Sequence, residues 1–483
     1  MHYRAIVRIL GLLVALFSVT MIPPALVSLI YEDGSGLPFI LAFILCVITG
    51  TAFWYPNREH RRDLRAKEGF LIVVLFWTVL ASFGAIPFIL LEQPSMTVTD
   101  AFFESFSGLT TTGATVIEGI EFLPHSVQFY RQQLQWLGGM GIIVLAVAIL
   151  PILGVGGMQL YRAETPGPVK DSKMTPRIAD TAKHLWYIYL SLTTACTVAY
   201  WIAGMNWFDA ICHSFSTVAI GGFSNHDASL GYFNSPAVNV VCSVFLLIAA
   251  LNFSLHYAAA SSRSLKGYWQ DPEMKAFFVI QASLILVCFL VLTLSGYYTD
   301  AEEALDQAMI QAVSISTTAG FATTDFASWP SFLPIMLIFA SFIGGCAGST
   351  GGGLKVIRVF LLFLQGKREI DRLIHPKAVY AVKLGERAMP DRVVEAVWGF
   401  FSAYAIVFVI IMIGLIATGL DNLTAFTATA ATLNNLGPGL GSVATTYAEV
   451  SDSGKWLLVT AMLFGRLEVF SLLVLFSPTF WRG

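Results

Sequence analysis

Long apolar runs alternate with short polar stretches along this chain, and the runs come in pairs. They lie at about 6–30 and 38–55, then 70–91 and 129–153, 185–203 and 238–260, 276–294 and 332–364, and 393–418 and 456–476. Apolar runs of roughly 20 residues are the mark of transmembrane helices. The pattern predicts an all-α integral membrane protein with about ten crossings, an even number that leaves both termini on one side.

Inside each of the last four pairs sits a segment too short and too polar to cross a bilayer. The four read "DAFFESFSGLTTTGA", "DAICHSFSTVAIGGF", "QAMIQAVSISTTAGF" and "TAFTATAATLNNLGP", and each carries a glycine near its end: Gly113, Gly222, Gly320 and Gly437. Twelve residues before each glycine stands an alanine (Ala101, Ala210, Ala308, Ala425), and six before stands Ser107, Ser216, Ser314 or Ala431. Self-similarity of this kind signals repetition. The reading is an opening two-helix unit over 1–66, then four helix–short helix–helix units over 67–160, 161–266, 267–375 and 376–483.

Asp100, Asp209, Asp306 and Asn422 stand where each short segment needs a helix cap. About ten helical residues cover about 15 Å, half a bilayer core, so the chain must enter and return. Non-helical backbone at that depth is tolerated only where protein buries it or it lines a watery cavity. Four such re-entrant loops around one axis present rings of carbonyl oxygens, and inward helix C-termini add negative potential. Stripping water from an ion costs on the order of tens of kcal/mol unless oxygens replace the shell. Carbonyl rings do so without a fixed charge that would trap the ion. The segments therefore point to passage of a dehydrated monovalent cation.

Composition changes this picture little: 56% of the 483 residues are hydrophobic and 12% charged. The first run is too long for a signal-peptide core, and Ile22-Pro23-Pro24 is a poor cleavage site, so it is expected to remain. Cys46, Cys196, Cys212, Cys242, Cys288 and Cys346 have no CxxC spacing and read as buried small hydrophobes. Charge adds orientation. Lys and Arg are absent between Lys67 and Arg131, Lys183 and Arg263, Lys275 and Lys355, and Arg392 and Lys455, and cluster elsewhere. By the positive-inside rule the clusters and both termini are cytoplasmic. The intervening outward loops are acidic, which concentrates cations.

Two further features carry chemistry. In "SFIGGCAGSTGGGLKVIR", the glycines Gly344, Gly345, Gly348, Gly351, Gly352 and Gly353, with Ser349 and Thr350, interrupt what should be a long helix. Each Gly costs about 1 kcal/mol against Ala in a helix interior. A phosphate-binding GxxxxGK[ST] loop is not matched, because Leu354 separates Gly353 from Lys355. Close helix packing of the GxxxG type is an alternative. The second feature is Arg466, a charge inside an apolar run, which needs a cavity or a partner such as Glu468 or the glycine-loop carbonyls. Glu104 and His213 both stand nine residues before their glycine, either as a proton pair or as polar contacts of the short helices.

The stretches "GLTTTGAT", "AIGGFS", "TTAGFATTD", "NNLGPGLG", "GGCAGSTGGGLKVIR" and "LFGRLEVF" resemble the Trk/Ktr/HKT superfamily of potassium transport proteins, and within it the Trk-type bacterial uptake pores. The resemblance runs the length of the chain. It implies K⁺ held by the backbone carbonyls of a filter at Thr110, Thr111, Thr112 and Gly113; Ala219, Ile220, Gly221 and Gly222; Thr317, Thr318, Ala319 and Gly320; and Asn434, Asn435, Leu436 and Gly437. The fourth segment lacks the threonines. The resemblance also implies that Gly344–Gly353 and Lys355 form an intramembrane gating loop, with Arg466 opposing cation passage beside it.

Sequences of this kind imply no cofactor on this chain, a homodimer surrounded by membrane lipid, and a cytosolic nucleotide-binding regulatory subunit. Nucleic acid is not an expected partner. The basic linkers 161–183 and 365–392 would supply the regulatory subunit's docking surface. A proton- or sodium-coupled symporter using the same filter is the alternative. An intramembrane enzyme is remote, since HExxH, GxSxG and paired-Asp lipid-transferase motifs are all missing.

Overall fold

The computed structural model describes residues 2–60, 66–141, 178–330, 332–376, 378, 380–385 and 387–482. The end of the first unit and most of the first basic linker, with Lys170, Lys173 and Arg177, lie outside the described residues. Among the described residues the regular structure is helical, apart from a two-residue antiparallel pairing of Lys383–Leu384 (β1) with Arg387–Ala388 (β2).

The opening unit holds α1 (Tyr3–Ser18), α2 (Ile22–Tyr31) and α3 (Gly36–Trp54). Phe39, Ala42, Cys46 and Gly50 of α3 are its buried residues, a stripe at three-to-four spacing. Ile40, Leu41, Ile44, Leu45 and Ile48 are exposed on the other faces. A helix apolar all round with one buried stripe is what a lipid-facing span requires. All six cysteines are buried free thiols, as their scatter indicated. Asp33, between α2 and α3, accepts hydrogen bonds from the Ser28 hydroxyl at 2.5 Å, the Ser35 amide at 3.0 Å and the Ser126 amide at 2.8 Å. Burial alone would raise its pKa, but these donors hold it below the usual carboxylate range.

The rest of the chain supplies α4 (Ala66–Gly84), α5 (Ile86–Leu90), α6 (Val98–Leu109), α7 (His125–Gly139), α8 (Ile178–Ile202) and α9 (Trp207–Ala219). Next come α10 (Pro236–Ala249), α11 (Phe253–Ser262), α12 (Lys266–Gln270), α13 (Pro272–Leu294), α14 (Ala301–Ser316), α15 (Leu333–Ser341) and α16 (Val356–Ile374). The chain closes with α17 (Asp391–Ala417), α18 (Asn422–Leu433), α19 (Asp452–Arg466), α20 (Phe470–Phe476) and α21 (Pro478–Trp481). Each short helix packs on the long helix before it: α6 on α4, α9 on α8, α14 on α13 and α18 on α17. Inside that layer, α6, α7, α9, α10, α14, α15, α18 and α19 pack each on the next, and α19 returns to α6. The inner layer is a closed ring.

Among the described residues, six helices are long and apolar enough to span a bilayer, and two bent pairs qualify if each is one span. In the last three units the second long run is not a continuous helix. α10 and α11 meet at 87° across 250–252, α19 and α20 at 115° across 467–469, and 342–355 separate α15 from α16. Only the last break had a glycine signal. At the first, Asn252 starts a new helix by accepting the Ser254 amide at 2.8 Å. At the second, Glu468 and Val469 take positive φ values of 51° and 54°. Apolar periodicity runs on through both breaks, so the sequence hides them.

Candidate functional site

The short helices are built alike. Their N-caps are Thr97, Asn206, Asp300 and Asp421, each with a side-chain oxygen accepting an amide of the first turn. This corrects the expected caps. Asp100 and Asp209 lie one turn further in, Asn422 is the first helical residue, and Asp306 sits mid-helix accepting Asn239 Nδ2 at 2.7 Å. Thr97, Asn206 and Asp421 stand sixteen residues before their glycine and Asp300 twenty, so α14 is one turn longer than the others.

All four helices end in the same way. The amides of Thr112, Gly221, Ala319 and Leu436 donate to the carbonyls of Ser107, Ser216, Ser314 and Ala431 at 2.9, 2.8, 2.8 and 2.7 Å. The amides of Thr111, Ile220, Thr318 and Asn435 donate to Gly108, Thr217, Ile315 and Thr432 at 3.0, 3.0, 3.1 and 3.2 Å. This is the Schellman cap, which requires a left-handed residue just past the helix. Thr111, Ile220, Thr318 and Asn435 occupy that position, with φ of 55°, 54°, 71° and 54°. Two threonines and an isoleucine there are sterically costly, a cost accepted only where surrounding structure fixes it.

Two residues later come the glycines, at φ of 82°, 79°, 81° and 98°. A Cβ on Gly113 would strike the Gly221 carbonyl, on Gly222 that of Ala319, on Gly320 that of Leu436, and on Gly437 that of Thr112, the last at 2.7 Å. Each glycine thus abuts the carbonyl preceding the next unit's glycine, and the fourth returns to the first. The four loops converge and close on one another. The fourth segment keeps this geometry without threonines: Asn434 Oδ1 accepts Tyr404 Oη at 2.5 Å, and Asn435 Nδ2 reaches Thr112 Oγ1 at 2.9 Å and the Met462 carbonyl at 3.0 Å.

Side chains nine residues before the glycine brace the strand that leaves it. Glu104 accepts the Val116 amide at 3.2 Å and Thr115 Oγ1 at 3.0 Å. His213 Nε2 meets Ser224 Oγ at 2.9 Å, and Gln311 Nε2 donates to Thr323 Oγ1 at 3.3 Å. Glu104 is also paired with Arg131 at 2.7 Å, both side chains fully buried. Glu104 and His213 are therefore polar contacts of the short helices.

Arg131 belongs to a set that sequence reading passed over. Gln128, Arg131, Gln132 and Gln135 lie along α7 at three-to-four spacing, one polar face inside an apolar protein. Arg131 Nη1 donates to the Ser224 carbonyl at 3.1 Å and the guanidinium lies 4.3 Å from the Phe223 ring centroid. Gln135 grips the second loop from both sides, donating to the Gly221 carbonyl at 2.6 Å and accepting the Phe223 amide at 3.0 Å. That helical period of polar residues was the available signal.

The glycine loop between α15 and α16 lies directly against the ring. Thr350 Oγ1 donates to the Val218 carbonyl at 3.0 Å, the Gly352 amide to Thr318 Oγ1 at 2.7 Å, and the Gly353 amide to the Asn434 carbonyl at 3.1 Å. A Cβ on Gly352 would strike the same Asn434 carbonyl. Lys355 Nζ donates to the Gly351 carbonyl. Opposite, Arg466 donates from Nη1 to the Thr350 carbonyl and to Thr111 Oγ1, each at 3.3 Å, and from Nη2 to the Gly138 carbonyl. The loop and Arg466 together touch all four units beneath the glycine ring. Glu468, the other partner considered for Arg466, is instead ion-paired with Arg358.

On the second basic linker, Lys367 and Arg372 are exposed, whereas Arg368 is buried and bound to Asp391 at 2.7 Å.

Comparison with known proteins agrees with this geometry. The sequence profile of the family TrkH, cation transport protein, matches residues 36–482. The chain is 66% identical over 485 residues to the Trk system potassium uptake protein TrkH of Vibrio parahaemolyticus, and 62% over 482 residues to that of Escherichia coli, with all of both chains covered in each case. It superposes on the crystal structure of the potassium transporter TrkH from Vibrio parahaemolyticus with a TM-score of 0.92 at 63% identity, again covering both chains fully.

Proposed function

The chain belongs to the TrkH cation transport protein family, and from that membership we propose that it takes up potassium across the cytoplasmic membrane through a pore on the axis of the four glycine loops. One observation carries the reading: the cyclic packing of Gly113, Gly222, Gly320 and Gly437 against one another's loops. A closed ring of backbone with four helix C-termini around it offers carbonyl oxygens and negative potential at one place, which is what a dehydrated K⁺ needs. Residues 110–113, 219–222, 317–320 and 434–437 form the filter, and four helix–short helix–helix units with re-entrant loops form its wall.

Residues 344–355 and Arg466 are the gate. Lying against the ring, the loop obstructs the axis, and a guanidinium beside it opposes a second positive charge. The basic linkers face the cytoplasm with both termini, where a nucleotide-binding regulatory subunit docks, and two copies of the chain form the pore assembly. Purified chain in vesicles, with a K⁺ or Na⁺ gradient imposed separately, tests the core of the proposal. K⁺ flux well above Na⁺ flux is expected; equal fluxes would remove the filter.

A further inference from the structure

The glycine loop meets the surrounding units through scattered hydrogen bonds, yet its two limbs are tied together by one side-chain oxygen of a neighbouring helix. Glu273, in the first turn of α13, is 5% exposed. Its Oε1 accepts the Ala347 amide at 2.7 Å and the Ile357 amide at 3.1 Å. Ala347 lies on the limb entering the loop and Ile357 in the first turn of α16, just after the loop ends. The loop's other backbone amides donate to single carbonyls or hydroxyls, such as Cys346 to the Ala250 carbonyl at 2.8 Å and Val356 to the Gly345 carbonyl at 3.1 Å.

We infer that Glu273 is a latch: a positioning residue that fixes the resting position of the glycine loop by clasping both of its limbs from a neighbouring helix. This rests on the reading of the loop as the gate. It adds a residue outside the loop, on a helix that begins beside Lys266–Gln270 and Asp271 at the edge of the membrane-spanning bundle. Movement of that helix end displaces the carboxylate and frees the loop with no change in the filter.

Five chains reconstituted alone in vesicles test the latch: wild type, Glu273→Ala, Glu273→Asp, Glu273→Gln, and a deletion of residues 351–353. K⁺ flux and amide hydrogen exchange over 345–357 are read together, each normalised to folded protein. Glu273→Ala should raise basal flux about tenfold, the effect of roughly 1.4 kcal/mol lost from the closed state. It should also speed exchange in that segment and not elsewhere. Glu273→Gln keeps an oxygen that accepts both amides and should stay within about twofold of wild type. If the deletion leaks and Glu273→Ala does not, the latch is wrong and the gate stands. If the deletion does not leak, the gate reading fails, and exchange alone decides whether Glu273 holds the loop. Should Glu273→Ala not fold, Glu273→Asp, one methylene too short, must leak more than wild type; equality overturns the latch.

Discussion

Asn435 donates its side-chain amide to the hydroxyl of Thr112 at 2.9 Å, a bond between residues 323 positions apart that joins the last unit to the first. It closes the ring at the one junction where the glycine packs least tightly. Asparagine suits both demands there: it tolerates the left-handed backbone that the Schellman cap imposes, and its amide spans the gap. Losing two buried hydrogen bonds of this kind costs about 1–3 kcal/mol. Asn435→Ala should therefore lower K⁺ over Na⁺ discrimination more than it lowers folded yield. Reversal potentials in mixed K⁺/Na⁺ decide, and an unchanged ratio with normal yield would dissociate Asn435 from the filter.

The glycines themselves should rank by crowding. An added Cβ collides with the neighbouring carbonyl at Gly113, Gly222 and Gly320 more closely than at Gly437, where the distance is 2.7 Å. Serine at any of the first three forces the adjoining loop aside. Gly113→Ser, Gly222→Ser and Gly320→Ser should each admit Na⁺, and Gly437→Ser should do so least. Permeability ratios measured on the four variants side by side would expose a different order.

Much of this is legible in the sequence, and for physical reasons. Lipid demands long apolar helices, so the spans stand out, and repetition placed the four glycines in register. The cap geometry shared by the four units could be foreseen only in part. Glycine at φ near 80° leaves a mark in the sequence, whereas Ile220 or Thr318 in a left-handed conformation does not, because packing imposes it. The caps were displaced for a similar reason: Thr97 and Asn206 precede acids that drew attention first, although acids also favour the first turn. The breaks at 250–252 and 467–469 carry neither proline nor glycine. Contacts such as Glu104 with Arg131 join residues 27 apart, and nothing in either segment alone announces the partner.

That ion pair makes a stability prediction. Both side chains are fully buried, so removing one leaves an uncompensated charge. Glu104→Ala or Arg131→Ala should destabilise the protein by about 3–5 kcal/mol, while an apolar pair of similar volume should be tolerated far better. Thermal unfolding in detergent measures both. Equal losses in the single and double replacements would mean that packing, not charge, is what matters there.

The docking surface can be narrowed. Arg368 is engaged with Asp391, so neutralising it disturbs the chain itself. Lys367 and Arg372 are exposed. Lys367→Gln with Arg372→Gln should weaken capture of the cytosolic regulatory subunit, with the largest deficit against wild type at low salt, while basal conduction stays unchanged. Co-purification across a salt series reads this. Full capture at every salt concentration would move the surface elsewhere.

The gate offers the sharpest separation of function from folding. Arg466 is tied to the Thr350 carbonyl of the loop, to the Thr111 hydroxyl at the end of the first short helix and to the Gly138 carbonyl. A guanidinium so placed either blocks the path or props up the helices around it. The two roles predict opposite outcomes. As a block, Arg466→Ala removes a positive charge from the axis, and deletion of Gly351 to Gly353 removes the obstruction, so each raises K⁺ flux through the chain reconstituted without its regulatory subunit. As a prop, the same changes leave carbonyls unpaired and lower both yield and flux. Arg466→Lys separates charge from geometry, because it keeps the charge but cannot serve three acceptors in one plane. It should stay closed to basal flux while losing some thermal stability. If Arg466→Ala and the deletion both fold normally and conduct no more than wild type, the loop and its arginine are packing, and the gate lies elsewhere on the axis.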